Sequence, residues 1–305
     1  MSTHEIERRS LACAKWANLV MGTAGIVAAI ASNASALMLD GLFSGVNFLA
    51  TLFATRVAAS IQRKPDAVRP FGYEIDEPIY VMFRSLVLTG IIIVAGFIAI
   101  DKIVAYISGV DIAPVKLDWV VGYMILMLTI CFALAVWHHY HWVKTQRQSE
   151  LLKAERSAAL IDGVLSAAAG AAFIAIAFMK DTPLSFLVPI SDAIVVLGLV
   201  LYMIPKPVAM FTQALREVTG ESAEPQIVAN LHSAVHQELV GKPFDLLQLA
   251  TTRTGRSLFA LAYIRPEQPA SATALDSLKD AVLHACQTVH PLLRMEIIFT
   301  GRTPY

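Results

Sequence analysis

The chain has 305 residues, 56% of them hydrophobic and 16% charged, with equal numbers of basic and acidic side chains. Its mean hydropathy is +0.60, and soluble domains carry about 25% charged residues, so a soluble enzyme is excluded and a membrane class indicated. Residues 1–210 hold the apolar runs, and 211–305 return to ordinary soluble composition.

A helix needs ~20 apolar residues to cross a bilayer. Six stretches qualify in chain order: Ala14 to Ala31, Ala34 to Ala58, Pro78 to Ala105, Trp119 to His138, Ser157 to Met179 and Leu184 to Pro205. The N-terminus is polar, contains acids and precedes no small-residue cleavage site, so no signal peptide is expected. Lys and Arg choose the orientation. Arg8, Arg9, Lys15, Arg63, Lys64, Arg69, Lys144, Arg147, Lys153, Arg156, Lys206 and Arg216 fall on one side, against Lys102, Lys116 and Lys180 on the other. Both termini are expected in the cytoplasm of a multi-pass protein of the cell (inner) membrane.

The tail reads as a separate domain. Pro225 to Leu239 and Ala274 to Val289 have helical spacing. Phe244–Leu249, Ser257–Ile264 and Met295–Thr300 read as strands, the first two joined at Arg253-Thr-Gly-Arg256. The order α-β-β-α-β suggests a small α+β sandwich. Cys13, Cys131 and Cys286 follow no metal or disulfide spacing and read as unpaired packing residues.

Two segments resemble each other: Ser35-Ala-Leu-Met-Leu-Asp40-Gly-Leu-Phe-Ser44 and Ser157-Ala-Ala-Leu-Ile-Asp162-Gly-Val-Leu-Ser166. Each sets a lone carboxylate, followed by Gly and later Ser, inside an apolar span. A charge there costs roughly 2.5–3.5 kcal/mol on insertion scales, which marks it as functional by default. The duplication suggests two related, inverted halves of a transporter.

This organisation resembles the cation diffusion facilitator family over most of the chain. Its most specific stretch is Lys64-Pro-Asp-Ala-Val-Arg-Pro-Phe-Gly-Tyr-Glu-Ile-Asp-Glu77-Pro78, similar to the family's loop between spans two and three. The Asp192 region is similar to the family's D-P segment, with Ala193 in place of Pro. The resemblance implies a homodimeric exporter of divalent cations in exchange for protons, with six membrane helices (residues 1–210) and a ferredoxin-like cytoplasmic domain (211–305). It implies no enzyme activity, no cofactor beyond the transported metal, and membrane lipid but no nucleic acid as partner.

The family's ligand frame falls on Phe43 and Asn47 in span two and on Leu165 and Ala169 in span five. Arg69 and Ile298-Phe-Thr300 replace histidine-bearing positions of the loop and tail. The tetrahedral zinc site therefore does not carry over. The candidate metal residues are Asp40 and Asp162, then Asn47, Ser44 and Asp192. Ser44 lies at i+4 and Asn47 at i+7 from Asp40, on one helical face. Such hard oxygens would favour Mn, Mg and similar ions.

Spans two and five run in opposite directions, so counting at 1.5 Å per residue separates the depths of Asp40 and Asp162 by roughly 15 Å. Two half-sites are expected, with Asp192 beside Asp40 on the outer side and Arg84 beside Asp162 on the inner side. Under the Arg84 pairing Asp162 is scaffold rather than ligand. His138, His139 and His141 read as an interfacial belt or as metal collectors. His232 and His236, at i and i+4, read as a solvated face or a metal pair. Glu74, Asp76 and Glu77 read as a cation-attracting mouth or as partners of Arg63, Lys64 and Arg69. Hydrocarbon at Phe43, Leu165 and Ala169 keeps open a second reading, a non-transporting membrane scaffold or regulatory protein.

Overall fold

The computed structural model describes residues 3–61, 63–112, 115–144, 150–178, 183, 185–255 and 257–302. Arg147, Lys180 and Arg256, used above, lie outside them, as does the side chain of Leu165. The apolar part contains α1 (Thr3–Ser32), α2 (Ser35–Ile61), α3 (Asp76–Ile107), α4 (Leu117–Lys144) and α5 (Glu150–Phe178). A 3-10 turn (Ser185–Ile190), α6 (Ser191–Met203) and α7 (Pro205–Val218) follow. Six helical stretches among the described residues are long and apolar enough to cross a membrane, the last running from Ser185 to Val218.

Local chemistry sets several boundaries. Asn33 takes a left-handed φ of 59° between α1 and α2, a conformation asparagine adopts more readily than most residues. Asp76 and Glu77 occupy the first turn of α3, where acids suit the helix dipole. Pro78 follows where its missing N–H costs nothing. Pro205 starts α7 directly after Ile204 and lacks the N–H that would continue the ladder, so the sixth span is interrupted. Helix α5 starts at Glu150, about two turns before the expected Ser157.

The chain divides into two compact units, residues 1–54 with 84–209, and residues 55–83 with 210–305. In the first, α4 packs on α5 and on α1. Met21, Leu37, Tyr123, Met127, Phe173 and Val196 are among its buried core residues. Small residues allow the close approach of membrane helices. A Cβ on Gly163 would lie 3.2 Å from the Cys131 Cβ, and one on Gly170 would lie 3.2 Å from Met124.

The second unit holds α8 (Pro225–Leu239), β1 (Phe244–Thr254), β2 (Ser257–Pro266), α9 (Ala272–Val289) and β3 (Leu293–Phe299). The sheet order is β1-β2-β3; β1 pairs antiparallel with β2, and β2 parallel with β3. Burial alternates along β2, where Leu258, Ala260, Ala262 and Ile264 face the core. Leu231, Val235 and Leu239 from α8 and Leu278, Val282 and Cys286 from α9 complete that core. Burial and the nearby Glu238 charge push the Cys286 thiol up to about 11, leaving it an inert packing group. Cys131 is likewise buried and unpaired, whereas Cys13 is exposed.

The loop before α3 belongs to this unit and folds around Tyr73. The Tyr73 hydroxyl donates to Asp66 at 2.7 Å, and Asp66 also accepts from the backbone N–H groups of Val68 and Arg69. The Arg63 and Arg69 guanidinium groups lie over the Tyr73 ring, 4.5 and 4.8 Å from its centroid. Phe71 meets Phe259 of β2 edge-on. Arg294 of β3 pairs with Glu74 and donates to the Phe71 carbonyl.

Candidate functional site

Asp40 lies on α2, half-buried. Its carboxylate accepts a 2.6 Å hydrogen bond from the Tyr123 hydroxyl of α4. Two glycines make that contact sterically possible. A Cβ on Gly25 would come within 2.9 Å of the Tyr123 hydroxyl and 2.7 Å of the Gly41 Cα. Gly41 of the Asp-Gly motif thus serves helix approach, while its neighbour supplies the charge.

Asp40 opens on a cavity of about 60 Å³ lined also by Phe43, Ser44 and Asn47 of α2, Tyr123, Met124 and Met127 of α4, and Asp162, Ser166 and Ala169 of α5. One water requires about 10–15 Å³ by a comparable measure, so an ion with a few waters fits. Ser44 and Ser166 are buried, and Asp162 is accessible. Both copies of the repeated motif therefore line one cavity, and the Asp40 charge reaches Asp162.

The expected separation into two half-sites is not what the structure places here. The depth count placed Asp162 about five residues into span five; the apolar segment begins at Glu155, which sets Asp162 about two turns in, on the cavity that Asp40 also lines. The expected Arg84–Asp162 ion pair is also absent among the described residues. Arg84 instead donates from Nη2 to the Asn47 Oδ1 at 2.9 Å.

Asp192 stands apart from this cavity. It is completely buried, and its two oxygens accept from the backbone N–H groups of Ser35 (2.9 Å) and Ala36 (3.0 Å). Lys102 Nζ adds an ion pair at 3.1 Å. The acid satisfies two of the N–H groups that the start of α2 leaves without helical partners, and the expected outer Asp40–Asp192 pair does not form.

The other candidates are engaged in packing or face solvent. His138 is buried and shares a 2.8 Å hydrogen bond with Ser10; His141 Nδ1 donates to the Trp137 carbonyl at 2.8 Å. His232 and His236 are exposed on α8. Asp76 pairs with Arg69, as the charge pattern suggested, and accepts from Ser60 at 2.6 Å. Glu74 takes Arg294, a partner that sequence separation hid. Among the described residues, no group of three His, Cys, Asp or Glu side chains gathers to hold a metal.

Tyr123 is the polar cavity group not singled out in advance, whereas Ser44 and Ser166 follow the aspartates at i+4 as the repeated motif indicated. A lone tyrosine hydroxyl in the apolar fourth span was the available signal, since a buried phenol seeks a partner.

Six helices among the described residues with the length and apolarity to cross a membrane define an integral membrane protein. The family model for the cation efflux transmembrane domain matches residues 11–218, and the chain belongs to this family, the cation diffusion facilitators. It is a multi-pass metal cation transporter of that family. A search of the curated proteins finds no match.

Proposed function

We propose that the chain exports a divalent metal cation from the cytoplasm in exchange for protons, using Asp40 and Asp162 as the ionic ligands. The observation that carries this reading is the shared cavity. No ion pair neutralises either carboxylate among the described residues. Two such acids in an apolar surround favour whatever positive species can reach them, and a carboxylate takes either a cation or a proton. Alternating access needs such a choice. Ser44, Ser166, Asn47 and waters would complete an all-oxygen shell suited to Mg, Mn and similar hard ions. Among the described residues no imidazole or thiol, which softer ions prefer, lines the cavity, although the buried Cys131 is within reach of both carboxylates' charge. Asp192, engaged with Lys102 and the start of α2, acts in this reading as scaffold.

The proposal extends to a homodimer with both termini cytoplasmic, inverted three-helix repeats in residues 1–210, and a ferredoxin-like module in 211–305. The repeated Asp-Gly motif supports the repeats. The α-β-β-α-β order and three-stranded sheet support the module.

A non-transporting scaffold remains the competing reading because Phe43 and Ala169 line the cavity at the family's ligand positions. Flux into inverted vesicles, screened across Mg, Mn, Fe, Co, Ni, Zn and Cd with a pH-sensitive dye, separates the two. Uptake of one ion with counter-movement of protons, lost in Asp40→Asn, supports export. Silence across the whole series supports the scaffold.

A further inference from the structure

Arg84 touches this cavity through one of its lining residues. It lies on α3, and its guanidinium reaches the Asn47 Oδ1, one of the oxygens that line the cavity. Its charge is also felt by Glu155 on α5. The placement follows helix geometry. Asn47 lies two turns along α2 from Asp40, and Glu155 lies two turns along α5 from Asp162, each on the same helical face as its aspartate. The two helices run in opposite directions, so both steps lead to the same end of the carboxylate line. Arg84 holds that end.

The contact is not that of a settled ion pair. Among the described residues, a single hydrogen bond ties the guanidinium to a neutral amide, and its Nε is buried without a partner. Guanidinium carries five N–H donors in a fixed fork, and buried donors are ordinarily satisfied. Among the described residues, Lys206 of α7 is the basic group whose charge reaches Asp162.

We propose that Arg84 is a tethered competitor of the transported ion: it holds Asn47 and offsets the cavity's negative charge when the site is empty, and an entering divalent cation displaces it. This rests on the cavity reading given above. Displacement frees the Asn47 carbonyl oxygen for the ion, so one movement both opens the line and completes the ligand set. The residue then sets affinity through its charge, and a divalent ion works against it twice as strongly as a monovalent one.

The test is Mn²⁺ binding to the purified full-length protein by titration calorimetry, with wild type, R84Q, R84M, R84K and D40N compared. Removing the positive charge in R84Q or R84M tightens Mn²⁺ binding by about tenfold or more, as loss of a like charge near the site requires. R84K keeps the charge and stays near wild type, a rescue that a purely packing role does not produce. Melting curves of all variants report folding, and two neutral replacements of different shape keep the test open if one folds poorly. Binding that is lost in D40N but equal in wild type, R84Q and R84M overturns the role of Arg84 and leaves the cavity reading intact. Binding indifferent to D40N overturns both.

Discussion

Asp192 and Asp40 are both acids within apolar helices, and their surroundings differ in kind. Asp192 has two backbone N–H donors and a lysine at 3.1 Å. Asp40 has one neutral phenol donor and an open cavity beside it. Burial alone therefore does not identify a transport ligand in this chain. The more deeply buried aspartate is the one whose charge and hydrogen-bonding capacity are already met. The comparison teaches that unmet electrostatic demand, with space next to it, marks the site.

Exchanging the two residues' fates is the sharpest way to break this contrast. Asp40→Asn abolishes ion flux into vesicles while leaving the thermal unfolding of the detergent-solubilised protein near wild type. Asp192→Asn does the reverse. It strands Lys102 and weakens the start of α2, at a cost of about 3–5 kcal/mol typical of a broken buried pair. Thermal unfolding reads that loss. The metal affinity of the folded fraction falls far less than in Asp40→Asn, because Asp192 does not itself line the cavity. In the D192N/K102M double variant part of the stability returns, since neither charge is left alone.

A smaller effect tests the phenol. Tyr123→Phe removes one hydrogen bond to Asp40, a loss of about 0.5–1.5 kcal/mol. Metal binding shifts by up to about tenfold, with the sign set by whether Tyr123 or the ion holds the carboxylate in the bound state. Gly25→Ala crowds the same hydroxyl and moves the affinity in the same direction as Tyr123→Phe, read in the same titration.

The smallest expected effect lies in the loop around Tyr73. The Tyr73 hydrogen bond and the backbone donors of Arg69 and Val68 hold the Asp66 carboxyl below the usual carboxylate range. A depressed pKa contributes stability above the ordinary aspartate value, lost as pH falls through the lower folded value. Tyr73 is shifted upward by the same bond with Asp66 and by partial burial. Its contribution is present below the ordinary phenol value and lost as pH rises through the folded one. Hydrogen exchange of residues 63–76, corrected for the intrinsic rate, is slowest between these limits, and Tyr73→Phe flattens the profile.

The elements that repeat a simple period were legible in the sequence. Pro225–Leu239 forms a helix with the expected ends, and β2 shows the alternation its residues imply. The spans were legible for the same reason, though α1 and α5 extend beyond their apolar cores into polar turns that hydropathy cannot see. Asp40 and Asp162 stood out because charge is rare in such helices. What stayed hidden was pairing across the fold. Lys102 with Asp192, Arg84 with Asn47, and Arg294 with Glu74 join residues far apart in the chain, and a residue count along one span does not report how neighbouring helices are offset. Tyr123 was missed because a phenol adds no formal charge to an apolar span.

Mn²⁺ titration of the D40N and D192N variants side by side is the most direct test of the central claim. Saturable binding that survives in folded D192N and vanishes in D40N is the predicted result. Binding retained in D40N and lost in D192N would contradict the account and move the cation to the Lys102 end of the molecule.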